Sequence, residues 1–254
     1  MAHTNKSEAL RLGITIFIFL AVLTALEFVI ALALNAIPLL VVVALVKAGL
    51  VMYYYMHIYK LQQESGDERD SYEYKTGTNR LGLWLFLLSD SFVFGGLLVS
   101  RFNLLGFTRP HLNQILGLVV TVVLLVSSFF MNRAETQMAH GNKKGFLSNT
   151  LVTILLGTGF VIGVVGVEWQ LAAAEGVRAN SMVDGGIFYM MTGMHAFHVL
   201  TGVLFLWIVY RNGRKDVYSA EKHWGVEAAT VYWHFVDVVW IFFYPALYLI
   251  GSVA

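Results

Sequence analysis

Residues 11–34 read RLGITIFIFLAVLTALEFVIALAL, and after Arg11 the single ionisable side chain in that run is Glu27. At about 1.5 Å of rise per residue, a helix of this length crosses the roughly 30 Å hydrocarbon layer of a bilayer. Comparable runs recur at 37–59, 81–103, 112–131, 147–172, 184–210 and 225–250. The composition agrees, with 57% hydrophobic and 13% charged residues over 254 positions. A soluble domain of this size has no way to hide so much apolar surface. The chain therefore reads as all-α, a polytopic membrane bundle of about seven transmembrane helices.

Working outward from the first run, Asn35 and Pro38 mark a tight turn into the second, so residues 1–60 read as a two-helix transmembrane hairpin. The polar stretch 61–79, with Glu64, Asp67, Glu68, Arg69, Asp70, Glu73 and Lys75, reads as a solvated connector, and 80–254 as a five-helix core. Lys6 and Arg11 precede the first apolar run without a small-residue cleavage pattern, which reads as a retained helix rather than a removed signal peptide. If the N-terminus is cytoplasmic, every Lys and Arg falls on an inner segment except Arg101, Arg109 and Arg178 outside and Lys47 within a span. That asymmetry follows the positive-inside rule and requires an odd number of spans. The net charge of +1 gives no reason to expect a nucleic-acid partner, and the absence of cysteine excludes disulfides and thiolate metal sites.

Ionisable groups at bilayer depth cost a few kcal/mol each, so they need a partner or a purpose. Glu27 and Lys47 lie roughly 10 and 16 Å from the turn joining their antiparallel helices, at about 1.5 Å per residue. An ion pair pinning the hairpin is one reading; separate polar neighbours are the other. Asp90, in Leu87-Leu88-Ser89-Asp90-Ser91, is either a proton relay or a buried acid bonded to neighbouring helices. His195 and His198 share one helix face, as do His234 and Asp237. His195 and His234 both reach mid-bilayer, the depth a bis-imidazole b-type haem would need, but the aromatic surroundings Tyr232, Trp233, Phe235 and Trp240 equally suit tight packing with polar cross-links. Gly157, Gly159, Gly163 and Gly166 read as a close-approach surface. Trp84, Trp169, Trp207, Tyr210 and Trp224 lie towards span ends, as an interfacial belt would.

Residues 226–240, VEAATVYWHFVDVVW, resemble the last-helix signature of subunit III of the haem-copper respiratory oxidases (cytochrome c oxidase). Residues 192–199, TGMHAFHV, are similar to the penultimate-helix motif TGxHxxHV, and 84–90, WLFLLSD, to a segment where the family carries Ser-Glu. Arg80, Glu168 before Trp169, Asp184-Gly185 and His223 also match, so the resemblance covers about residues 79–252. Asp90 in place of Glu is a departure. The hairpin fits less closely: its Lys47-Ala48-Gly49-Leu50-Val51 and Tyr55-Met56-His57 resemble the small bacterial oxidase subunit IV, leaving open whether the hairpin is subunit IV-like or the native first two helices.

The resemblance implies a chain with no catalytic residue, no metal ligand and no haem of its own. It implies an accessory subunit in the bacterial cytoplasmic (inner) membrane, packed on subunit I beside subunit II, with a small subunit IV or a respiratory supercomplex as further partners. Haem and copper would belong to those partners. Phospholipid would lie in a V-shaped cleft between hairpin and bundle, and the subunit would support proton uptake and turnover stability. The motif residues Asp90, Glu168, His195, His198, Glu227, His234 and Asp237 would then be intramembrane polar elements, with Arg80, Arg214, Lys222 and His223 near lipid headgroups. Two rival readings are a subunit III-like partner of a nitric oxide reductase and a b-type haem membrane cytochrome. The residues do not select between cytochrome c and quinol as electron donor.

Overall fold

A computed structural model describes residues 6–33, 37–56, 71–180 and 183–253. Among these are seven helices long and apolar enough to cross a membrane. They are α1 (Lys6–Ala33), α2 (Ile37–Tyr55), α3 (Tyr72–Leu105), α4 (Gln114–Ala139), α5 (Lys143–Ala174), α6 (Val183–Arg214) and α7 (Trp224–Leu249). The turn at Asn35, His57 and residues 61–70 of the connector lie outside the described residues.

Helix ends are set by capping groups rather than by the limits of the apolar runs. Ser71 accepts the Tyr74 amide at 3.1 Å and Glu73 sits in the first turn, so α3 begins at Tyr72. Residues 72–79, part of the polar connector 61–79, form the first turns of this helix. Asn113 and Asn142 cap α4 and α5 in the same way, each accepting a backbone N–H at 3.0 Å. Such side chains satisfy amides that have no partner inside the helix. Among the described residues, three π-turns interrupt the regular geometry: Val51–Tyr55 at the end of α2, Ile162–Glu168 within α5 and Pro245–Leu249 closing α7.

The last helix is the hub. In its most apolar 18-residue window 89% of α7 is buried, against 11% for α3 and 28% for α1. Helices α2, α3, α4 and α6 all pack on it. Trp233 decides how closely, because its indole occupies the space left by Gly157 of α5 and Gly202 of α6, while its Nε1 donates to Ser127 Oγ of α4 at 3.0 Å. Trp240 repeats the arrangement one level away, donating to Thr121 Oγ1 at 2.9 Å.

The hairpin lies directly on this bundle. Phe17 meets Phe129 of α4 at 4.8 Å between ring centroids, and α1 also reaches the closing π-turn of α7. Tyr55 of α2 donates to the Gly13 carbonyl of α1 at 2.9 Å and sets its ring 4.9 Å from His234 of α7. On the α4–α7 side, then, hairpin and bundle are in contact rather than held apart by a cleft. A two-residue parallel pairing, Thr108 with Ser252 and Arg109 with Val253, ties the C-terminal residues to the segment after α3.

Candidate functional site

The buried polar side chains form three groups around α7. In the first, Lys47 Nζ donates to Glu27 Oε2 at 2.7 Å, both side chains being fully buried. Asp237 of α7 lies beside Lys47 and beside Ser128 of α4. His234, on the same turn, faces the Tyr55 ring. The pair predicted inside the hairpin thus continues into the α2–α7 interface, and each charge has an opposite charge or a hydrogen-bonding neighbour in reach.

The second group joins α3 to α6. His198 Nε2 stands 3.5 Å from Asp90 Oδ2, and both side chains are largely buried. His198 Nδ1 contacts the Met194 carbonyl at 2.8 Å. A carbonyl only accepts, so that nitrogen carries a proton. Asp90 Oδ2 makes no hydrogen bond among the described residues, so the carboxyl group and the imidazole face each other at the α3–α6 contact without a direct bond. The Phe94 ring lies 4.7 Å from His198, and Tyr232 OH exchanges a hydrogen bond with Thr201 Oγ1 at 2.8 Å on the adjoining turn.

The third group joins α5 to the end of α7. Glu168, the last residue of its π-turn, accepts from the Tyr248 hydroxyl through Oε1. Tyr248 sits in the closing π-turn, its ring 5.7 Å from that of Tyr244. Both partners thus come from π-turns, which rotate the side chains beyond them out of the regular helical register. Next door, Trp169 turns inward and donates to Thr192 Oγ1 of α6 at 3.0 Å, which removes it from the predicted interfacial belt.

The two mid-bilayer histidines do not face each other. His195 lies against Trp240 and Phe160, and its Nε2 is directed at the Val236 carbonyl at 3.0 Å. His234 packs against α2 instead. A bis-imidazole haem needs both rings turned to a common gap, and this geometry orients them as packing elements.

The candidate headgroup residues divide. Arg80 is bound to Glu227, with Nη2 at 3.0 and 3.2 Å from the two carboxylate oxygens and Nε at 3.2 Å, and its guanidinium covers the Trp224 ring. Two-pronged carboxylate binding of this kind engages the guanidinium fork within the chain itself. Lys222 lies over the Tyr72 ring, and His223 Nδ1 contacts the Ser219 carbonyl at 3.1 Å. Arg214 lines a shallow surface pocket together with Arg211 and Lys215, two residues the sequence reading did not single out.

Arg101 is the largest surprise. Counted as an outer-loop charge, it is fully buried, its guanidinium donating to the carbonyls of Ala246 at 2.7 Å, Ile250 at 3.0 Å and Gly106 at 3.1 Å. Arg109 adds a bond to the Gly251 carbonyl at 3.1 Å. The two arginines satisfy carbonyls that the ends of α3 and α7 leave open.

Comparison with known proteins places this arrangement. The family model for cytochrome c oxidase subunit III matches residues 11–252, hairpin included. The chain is 34% identical over 177 residues to cytochrome c oxidase subunit 3 of Thermostichus vulcanus, covering 67% of this chain and 86% of that protein. It is 31% identical over 197 residues to quinol oxidase subunit 3 of Bacillus subtilis (strain 168), covering 74% and 96%. With cytochrome c oxidase subunit 3 of Rattus norvegicus it shares 35% identity over 190 residues, covering 68% and 70%. Seven apolar helices gathered on a C-terminal hub, carrying those motifs in family order, belong to the cytochrome c oxidase subunit III family of the haem-copper oxidases.

Proposed function

We propose that this chain is the cofactor-free accessory subunit of a terminal oxidase that reduces O2 to water, packed on catalytic subunit I beside subunit II in a bacterial cytoplasmic membrane. The observation that carries the reading is the family match from residue 11 to residue 252, which runs through all seven helices. The same span supports taking the hairpin as the family's own first two helices. The buried polar groups fit a supporting role, since Glu27 with Lys47, Arg80 with Glu227 and Glu168 with Tyr248 bond to one another across helix interfaces. Relatives named for cytochrome c and for quinol both match, so the donor is a property of the other subunits.

Within this reading, phospholipid headgroups are held at the inner surface by Arg211, Arg214 and Lys215, with Lys222 nearby. Clustered basic residues at a helix end attract anionic lipid by about 1 kcal/mol per charge. The Asp90–His198 dyad supports the part in turnover stability. Affinity purification through a tag on this chain, followed by native mass spectrometry and a visible spectrum, tests the assignment. Copper- and haem-bearing partner subunits with retained phospholipid are expected. A haem absorption band carried by the isolated chain, or a partner whose active site lacks copper, would overturn it.

A further inference from the structure

At the end of the bundle where the C-terminal residues lie, a small pocket opens between the start of α4 and the end of α5. Its polar lining is Glu168, Asn113 and Glu175, and its walls include Leu112, Leu116 and Leu171. Glu168 is 98% buried, at 2% relative exposure, and only one of its carboxylate oxygens is engaged, by Tyr248. The other, Oε2, is buried and has no hydrogen-bond partner among the described residues. An orphaned carboxylate oxygen costs on the order of 1–3 kcal/mol or more, so buried groups of this kind have a partner or a reason. Glu175 brings solvent-exposed surface to the lining: its side chain is 40% exposed and bonds the 67% exposed His111 ring at 2.8 Å.

We propose that this pocket is a one-water site through which Glu168 is in contact with the aqueous phase beyond the C-terminal face of the bundle. The space matches about one water molecule, and the polar lining provides the two to four partners that such a water needs. By the positive-inside argument that phase is the external one. The Glu168–Tyr248 link, which joins two π-turns deep in the α5–α7 junction, is then exchangeable with bulk solvent from outside. Glu168 is a positioning and solvent-contact residue in this account, and the inference stands on the geometry of this chain whichever oxidase it serves.

The test uses the intact membrane complex containing the chain. A map that resolves ordered solvent should show density within hydrogen-bonding distance of Glu168 Oε2 and of the Asn113 or Glu175 side chain. X-ray radiolytic footprinting, which oxidises side chains beside bound water, should label buried Tyr248 and half-buried Leu116 promptly. Ala172→Leu, which grows a side chain into the pocket wall, should lower that labelling severalfold while labelling at Phe107, exposed in the segment after α3, stays constant. Glu168→Gln, nearly the same shape, should keep the water and the labelling. An empty pocket in the map, or labelling indifferent to Ala172→Leu in a complex that assembles, would overturn the proposal. Should Ala172→Leu fail to assemble, the map and the Glu168→Gln complex decide the matter alone.

Discussion

Gly157 and Trp233 are complementary: a methyl group on Gly157 would come within 2.3 Å of the indole Cη2. Tryptophan supplies the bulk on α7 and glycine the hollow on α5, so the separation of the two helices depends on both. Substituting Gly157→Ala should destabilise the bundle by about 1–3 kcal/mol, as overpacked cores do. The partner change Trp233→Phe in that background should recover part of the loss. Thermal unfolding of the purified complex, followed by tryptophan fluorescence or light scattering, measures both.

The hairpin pair makes a sharper prediction. Lys47→Met leaves Glu27 buried without its cation, and breaking a buried pair on one side costs about 3–5 kcal/mol. The double change Glu27→Leu with Lys47→Met removes both charges and should restore most of the assembled protein. Membrane abundance of the chain in the three strains reads the outcome. Equal abundance in the single and double variants would show that the pair is not the pinning element.

The Asp90–His198 dyad should tolerate Asp90→Glu, which keeps a carboxyl group beside His198 Nε2. Asp90→Asn keeps the shape but removes the carboxyl group that faces His198. Its complex should assemble and then lose activity faster during turnover, or retain less phospholipid. Parent-like inactivation and lipid content would reduce the dyad to a structural contact.

Arg101→Met should free the C-terminal residues, because three carbonyls lose a charged donor together. Hydrogen bonds to charged groups contribute about 1.5–3 kcal/mol each before overlap is counted. The expected readout is faster amide exchange and earlier proteolysis at residues 245–253, with the remainder of the chain unchanged. Protection equal to the parent's would refute the clamp.

The seven spans were readable because each apolar run is long, almost uncharged and bounded by polar residues. The Glu27–Lys47 pair was one of two readings the residues left open, since opposite charges on adjacent helices can bond to each other or to separate polar neighbours. The start of α3 was not: an apolar run marks the width of the bilayer, whereas a helix ends at its caps, and Ser71 lies well outside the hydrocarbon. Arg101 escaped because its partners are backbone carbonyls, which carry no side-chain signature. Tyr248, the partner of Glu168, escaped because π-turns break the 3.6-residue period by which faces are counted. The glycine run of α5 announced a hollow, yet nothing in its spacing named Trp233 as the residue that fills it.

Among the described helices the most buried one, α7, is also the last of the seven to be synthesised. Chains emerge N-terminus first, at about 5–20 residues per second, so six helices enter the bilayer before the one around which they gather. During that interval Arg80, Ser127 and Glu168 wait for Glu227, Trp233 and Tyr248. Polar groups stranded in this way are what membrane quality control is positioned to notice. A frameshift or premature stop near residue 220 would therefore remove far more than its share of the chain, leaving six inserted helices with no common surface to close upon.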